Sequence, residues 1–298
     1  MLATMHKVWN TMNAPPAVRA GLGTPRAASE AFDFRGSAAR ERVRHDAHDR
    51  ASKVERLVLV STAAEGNPML EQRATLIAGG MRPSPGLVTL GATDDVPALT
   101  QPSDLVLVDR RKPARFIAPY LGRPARRLLR ETTAPVLVVA GKSHAPYKRV
   151  VIATDLGTDL SAALAAVRKI APDASLTLLH VYHALFDGKL QWAGVQEIDI
   201  AQYRVDAQRE AALGMAALVD RHPAIEHSRT LLRYGWPVPG ILRTAREVDA
   251  DLIVVVRKSR SWWADVLGAS VSHDVAQRAE RDVLIVRAPV YSPGDPHR

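Results

Sequence analysis

The sequence predicts an α/β protein made of two parallel-sheet units in tandem, the first lacking one strand–helix unit. Three observations carry this. Short runs such as DLVLV (Asp104–Val108) and DLIVV (Asp251–Val255) are apolar on both faces and alternate with amphipathic helical stretches. A parallel sheet covered by helices on both sides requires this pattern. Ser103–Gly141 and Ala250–Ala288 align without a gap as strand, basic loop, helix and strand, which marks an internal repeat. The second copy holds more chain between shared markers, including the strand SLTLLHV at Ser175–Val181.

Taken in order, the elements divide the chain into four expected parts. Residues 1–52 form an extension broken early by Pro15, Pro16, Gly21, Gly23 and Pro25, with a charged helix expected from about Ser37 to Lys53. Residues 53–142 form the shortened unit, opening with the strand VLVST (Val58–Thr62), which aligns with VVIAT (Val150–Thr154). Gly91 in VTLGATDDVP aligns with Gly235 in LRYGWPVPG. Residues 146–289 form the complete unit, with a long polar helix over Ile198–His222, and residues 290–298 form a disordered tail. The shortened unit is expected to depend on the complete one for burial.

Composition narrows the function classes. A hydrophobic share of 47% and a charged share of 24% support an ordinary globular core. The chain has no cysteine, which excludes disulfides, thiolate catalysis and thiolate-bound zinc. No apolar run reaches the roughly 18 residues of a membrane span, and the N-terminus lacks the apolar segment of a secretory signal, so a soluble cytoplasmic protein is expected. The net charge of +9 permits polyanionic partners, but arginines scattered among alanines account for it more simply than a nucleic-acid surface. Neither G-x-S-x-G nor G-x-x-x-x-G-K-S/T occurs. The pairs His45/His48 and His180/His183 have metal-compatible spacing but no third ligand nearby in sequence, and are read as structural or solvated.

Three stretches of the second half, KRVVIATDLGTDLSAAL, LTLLHVYHALFDGKLQWAGV and LLRYGWPVPGILRTAREVDADLIVV, resemble the universal stress protein A family in order and spacing over Tyr147–Pro289. The first half resembles it more faintly. The resemblance implies an adenine nucleotide alpha hydrolase-like parallel sheet, dimeric or tandem, in a family where some members bind ATP. Binding members carry Gly-x-x-Gly-(nine residues)-Gly-Ser/Thr after the fourth strand, where glycines bring backbone N–H groups to phosphates at a helix N-terminus. Here those positions are Val256, Ser259, Ala269 and Ser270 in the second half, and Asp109, Lys112, Gly122 and Arg123 in the first. The first half has Ala63 where the second has Asp155.

The residues a nucleotide in the second half would use are therefore Asp155, Val181, Arg257, Ser259 and Ser270. The opposing reading makes Ser270 a helix cap and the basic loop a solvated one. Val256 and Ala269 favour the opposing reading, because each adds a Cβ where backbone must approach phosphate. At least one of Trp262 and Trp263 is expected to fold over the crevice and fill it, the alternatives being stacking on an adenine or a subunit contact. The expected function is a stress-response module without catalytic turnover, acting as a homodimer or with a protein partner. The alternative is an adenine-nucleotide (ATP) binding protein or slow ATPase using the crevice of the second unit; otherwise no cofactor is expected, and neither a membrane nor nucleic acid is an expected partner.

Overall fold

A computed structural model describes residues 56–61, 67–81, 83–91, 94–110, 121–140, 145–182, 196–257 and 271–288. All of them fall in one compact unit, Ala47–Arg298. The N-terminal extension, the tail, His45, His48, His183, Ser259, Trp262, Trp263 and Ser270 lie outside the described residues.

The strands are β1 (Arg56–Ser61), β2 (Gly86–Gly91), β3 (Leu105–Asp109), β4 (Val136–Val139), β5 (Arg149–Ala153), β6 (Ser175–Tyr182), β7 (Arg229–Tyr234), β8 (Leu252–Arg257) and β9 (Asp282–Arg287). The helices are α1 (Pro68–Gly80), α2 (Val96–Leu99), α3 (Arg123–Glu131), α4 (Ser161–Ile170), α5 (Glu197–Arg221), α6 (Pro237–Glu247) and α7 (Val271–Arg278). The strands form one sheet in the order β2-β1-β3-β4-β9-β8-β5-β6-β7. Every neighbouring pair is parallel except β4–β9, where the halves meet antiparallel. The two expected units thus share a single sheet.

Local sequence explains the elements. In α1, Asn67 accepts from the Met69 N–H at 3.0 Å, Pro68 opens the first turn, and Leu70, Ala74 and Ile77 bury one stripe. In β1 and β3, leucines (Leu57, Leu59, Leu105, Leu107) face α1, while valines (Val58, Val60, Val106, Val108) join the core on the α3 side. Helices α4 and α5 cover the leucine face, and α6 and α7 the valine face. Alternation along each strand therefore supplies two cores, one on each side of the sheet.

The gapless repeat holds at the level of hydrogen-bond register. Val106↔Val136, Leu107↔Leu137 and Val108↔Val138 in β3–β4 correspond to Ile253↔Val283, Val254↔Leu284 and Val255↔Ile285 in β8–β9. At the seam Leu137 faces Leu284, its own counterpart, so the pairing has two-fold symmetry in register.

Two correspondences drawn from sequence are corrected. Leu57 pairs with Leu105 as Val150 pairs with Leu252, so β1 aligns with β5 one residue earlier than VLVST against VVIAT. A one-residue slip would turn every side chain to the other face. The counterpart of Asp155 is accordingly Thr62, not Ala63. The same shift matches Arg56–Asp104 (2.7 Å) with Arg149–Asp251 (3.6 Å), ion pairs at the same place in each half. Gly91 ends β2 beside Ser61 of β1, a place that β6 occupies in the second half, so it is not the spatial counterpart of Gly235.

Candidate functional site

In open parallel sheets ligands sit beyond the carboxyl ends of the strands. In the second half, Ala153 pairs with Leu179 on one side and Val255 on the other. Continued by two residues, that register sets Asp155, Val181 and Arg257 level at three adjacent strand ends. Their side chains do not converge.

Asp155 is exposed and accepts a hydrogen bond from the Thr158 hydroxyl. The turn that carries it is held from several sides. Leu156 adopts φ 66°, a left-handed conformation costing a non-glycine residue roughly 1–2 kcal/mol. Its N–H donates to the Thr154 hydroxyl at 3.2 Å, and its carbonyl accepts from Arg221 at 3.0 Å. The Leu160 N–H donates to His222 Nε2 at 3.4 Å, and Asp159 lies 3.6 Å from the same nitrogen. Burial lowers the His222 pKa, Arg221 adds to the effect and Asp159 opposes it.

Val181 is packed rather than open. A Cβ on Gly240 would lie 2.9 Å from both of its methyl groups, so α6 approaches β6 closely only because residue 240 is glycine. His180 Nδ1 lies 2.8 Å from the Thr154 carbonyl. Beside these strand ends Tyr182 and Tyr234 meet edge to face at 5.8 Å, and Trp236 is exposed.

Arg257 leaves the crevice. Its guanidinium donates to the Leu129 carbonyl in the last turn of α3, across the seam, and Arg287 donates to the neighbouring Arg130 carbonyl at 2.6 Å. Burial and the adjacent Arg287 both lower the Arg257 pKa. Among the described residues the row thus offers a phosphate neither an open glycine approach nor a free guanidinium at Arg257.

In the first half the end of β3, the counterpart of β8, is also engaged by protein, through Asp109, which corresponds to Val256. Asp109 at the end of β3 is buried and accepts from the Asn67 side-chain amide at 2.6 Å, while Asn67 also caps α1. Sequence reading missed this role of Asn67. An asparagine followed by proline was the available signal, because that dipeptide marks a helix start.

Sequence reading also missed a buried cluster that ties the halves together. Asp282 on β9 accepts from the Tyr147 hydroxyl at 2.7 Å and the Ala140 N–H at 2.8 Å, and lies 2.9 Å from Arg73 Nε on α1. Arg73 lies over the Tyr147 ring, 4.6 Å from its centroid, and donates to the Ala145 carbonyl. Burial first, and the Asp282 charge next, push the Tyr147 pKa well above the usual tyrosine value. Among the described residues no group of three or more His, Asp or Glu side chains could hold a metal ion, and no helix is long and apolar enough to cross a membrane.

Residues 146–287 match the model of the Universal stress protein family. Universal stress protein Rv2623 of Mycobacterium tuberculosis strain H37Rv is 24% identical over 222 residues, covering 72% of each chain. A functionally unknown protein from Pseudomonas aeruginosa PAO1 superposes with TM-score 0.52 and 17% identity, over 80% of this chain and 95% of its own. A putative universal stress protein from Pseudomonas aeruginosa UCBPP-PA14 gives TM-score 0.52 and 16% identity over the same shares. Residues 146–287 are thus similar to the Universal stress protein family, and the likeness of fold extends beyond them.

Proposed function

We propose that this chain is a non-catalytic stress-response module, in which a shortened and altered universal stress protein unit is fused to a complete one, and that it acts through protein contacts. The single observation that carries the reading is that protein groups engage the charged residues at the ends of β3 and β8. Asn67 occupies the Asp109 carboxylate in the first half, and Arg257 is drawn across the seam in the second. The inner edges β4 and β9 are used up within the chain, which leaves contacts with a second copy or another protein to its outer surfaces.

A second reading keeps an adenine nucleotide in the second half, around Asp155, Val181, Ser259 and Ser270. The exposed Asp155 carboxylate at a strand end favours it. Calorimetric titration of the full chain with ATP and Mg²⁺ decides between the two. The leading reading expects no saturable heat. Saturable micromolar binding that is lost in Asp155→Ala or Ser270→Ala overturns it in favour of the second.

A further inference from the structure

Charge is distributed unequally over the two faces of the sheet. On the valine face, the exposed described positions of α3 are Arg126, Arg127, Arg130 and Glu131, all charged, while Ala125, Leu128 and Leu129 point into the core. Arg127 and Arg130 keep 54% and 76% of their side-chain surface in solvent, so both can be reached. Arg257 and Arg287 meet the C-terminus of the same helix from the second half. On the opposite face, α5 instead mixes the exposed acids Asp199, Asp206, Glu210 and Asp220 with the exposed arginines Arg209 and Arg221.

The sequence around α3 is equally one-sided. Residues 110–130 contain eight Arg and Lys and no Asp or Glu. The aligned stretch of the second half, residues 257–277, includes Asp265 and Asp274. Within the shortened unit the basic residues therefore cluster in this one stretch, unaccompanied by acids.

We propose that the arginine face formed by α3 and the adjoining seam is a binding surface for the phosphate backbone of nucleic acid. Guanidinium forks suit phosphate oxygens and keep spare donors after one contact. The carboxylates already present are few for the arginines they serve. Glu131 is shared by Arg127 and Arg130, and Arg127 also reaches Asp95. Exposed pairs of this kind are worth little, so a polyanion displaces them readily. A membrane surface is disfavoured because α3 presents no apolar side chain among its exposed described positions to enter lipid. The contact reads backbone rather than sequence, since arginines with no shape-matched groove supply position and affinity only.

Fluorescence anisotropy of a labelled DNA duplex, titrated with the full chain between about 50 and 200 mM salt, tests this. Binding is expected that weakens steeply with salt. Arg126→Gln/Arg127→Gln/Arg130→Gln is expected to weaken it ten-fold or more and to reduce the log–log salt slope by roughly 2–3, at about 0.9 per phosphate contact. Arg168→Gln/Arg209→Gln, on the opposite face, serves as the control and leaves binding unchanged. Circular dichroism melts confirm that both variants fold. Three results overturn the proposal: no binding at the lowest salt, equal binding by the triple variant, or equal competition by poly-glutamate or phosphatidylserine–phosphatidylcholine vesicles.

Discussion

Arg110 and Arg257, counterparts in the repeat, each cross the seam to the C-terminus of the other half's helix. Arg110 donates to the Gln277 carbonyl of α7 at 3.0 Å, and Arg257 to the Leu129 carbonyl of α3. The last carbonyls of a helix lack intrahelical partners and carry its negative pole, so a guanidinium there satisfies both needs. Arg110→Ala and Arg257→Ala are each expected to lower stability by about 1–2 kcal/mol. Urea denaturation with an unchanged m-value checks this, since m follows the surface exposed on unfolding.

Asp282 is the acceptor on which α1, the interdomain connection and β9 converge. Asp282→Asn leaves the 2%-exposed Arg73 guanidinium without its counter-charge. A loss of about 3–5 kcal/mol is expected, because an uncompensated buried charge is costly. One cooperative transition at lower denaturant is the predicted outcome, since the cluster joins both halves. Two separated transitions would show that the halves unfold independently.

Asn67→Ala removes a helix cap and the amide donor to Asp109 together. A loss of about 1–2 kcal/mol is expected from the cap, measured by chemical denaturation. Asn67→Asp keeps the cap but sets two carboxylates together, so it is expected to be worse than alanine near neutral pH and to recover in acid.

Gly240→Ala places a Cβ 2.9 Å from both methyl groups of Val181. Overpacking of this kind costs about 1–3 kcal/mol. Val181→Ala in the same chain is expected to relieve part of the cost, and a double-mutant cycle on denaturation midpoints measures how much.

The pKa of His222 lies below its ordinary value of 6.5 because it is buried, next to Arg221, with Asp159 only partly compensating. Between the folded and unfolded pKa values the unfolded chain binds more protons, so stability rises with pH in that window. The contribution of His222 is thus fully present above about 6.5 and is lost as pH falls through the lowered value. His222→Gln is expected to flatten this part of the stability–pH curve, read by urea denaturation at a series of pH values.

Much of the fold was legible because strands of a parallel sheet are apolar on both faces and read as unbroken runs. DLVLV and DLIVV located β3 and β8, and their equal distance from VLVV and VLIV carried through to identical registers. The alignment of β1 with β5 was not legible to one residue. VLVST and VVIAT are apolar at adjacent positions, so periodicity alone cannot choose between neighbouring registers. The Arg56–Asp104 and Arg149–Asp251 pairs resolve it, but the partners lie far apart in sequence.

The candidate site divides along the same line. The sequence by itself determined where a ligand would have to lie, because strand ends and glycine-type spacings are local features, and it determined that most of the glycines are gone. Only the tertiary structure decided what the charged residues there do. Asp109 is held by Asn67 and Arg257 by α3, partners 42 and 128 residues away. A charged side chain takes the nearest acceptor or donor that folding brings to it, and burial makes that choice costly to leave unmade. Pattern specifies the sheet, while pairing across the seam specifies the use of its ends.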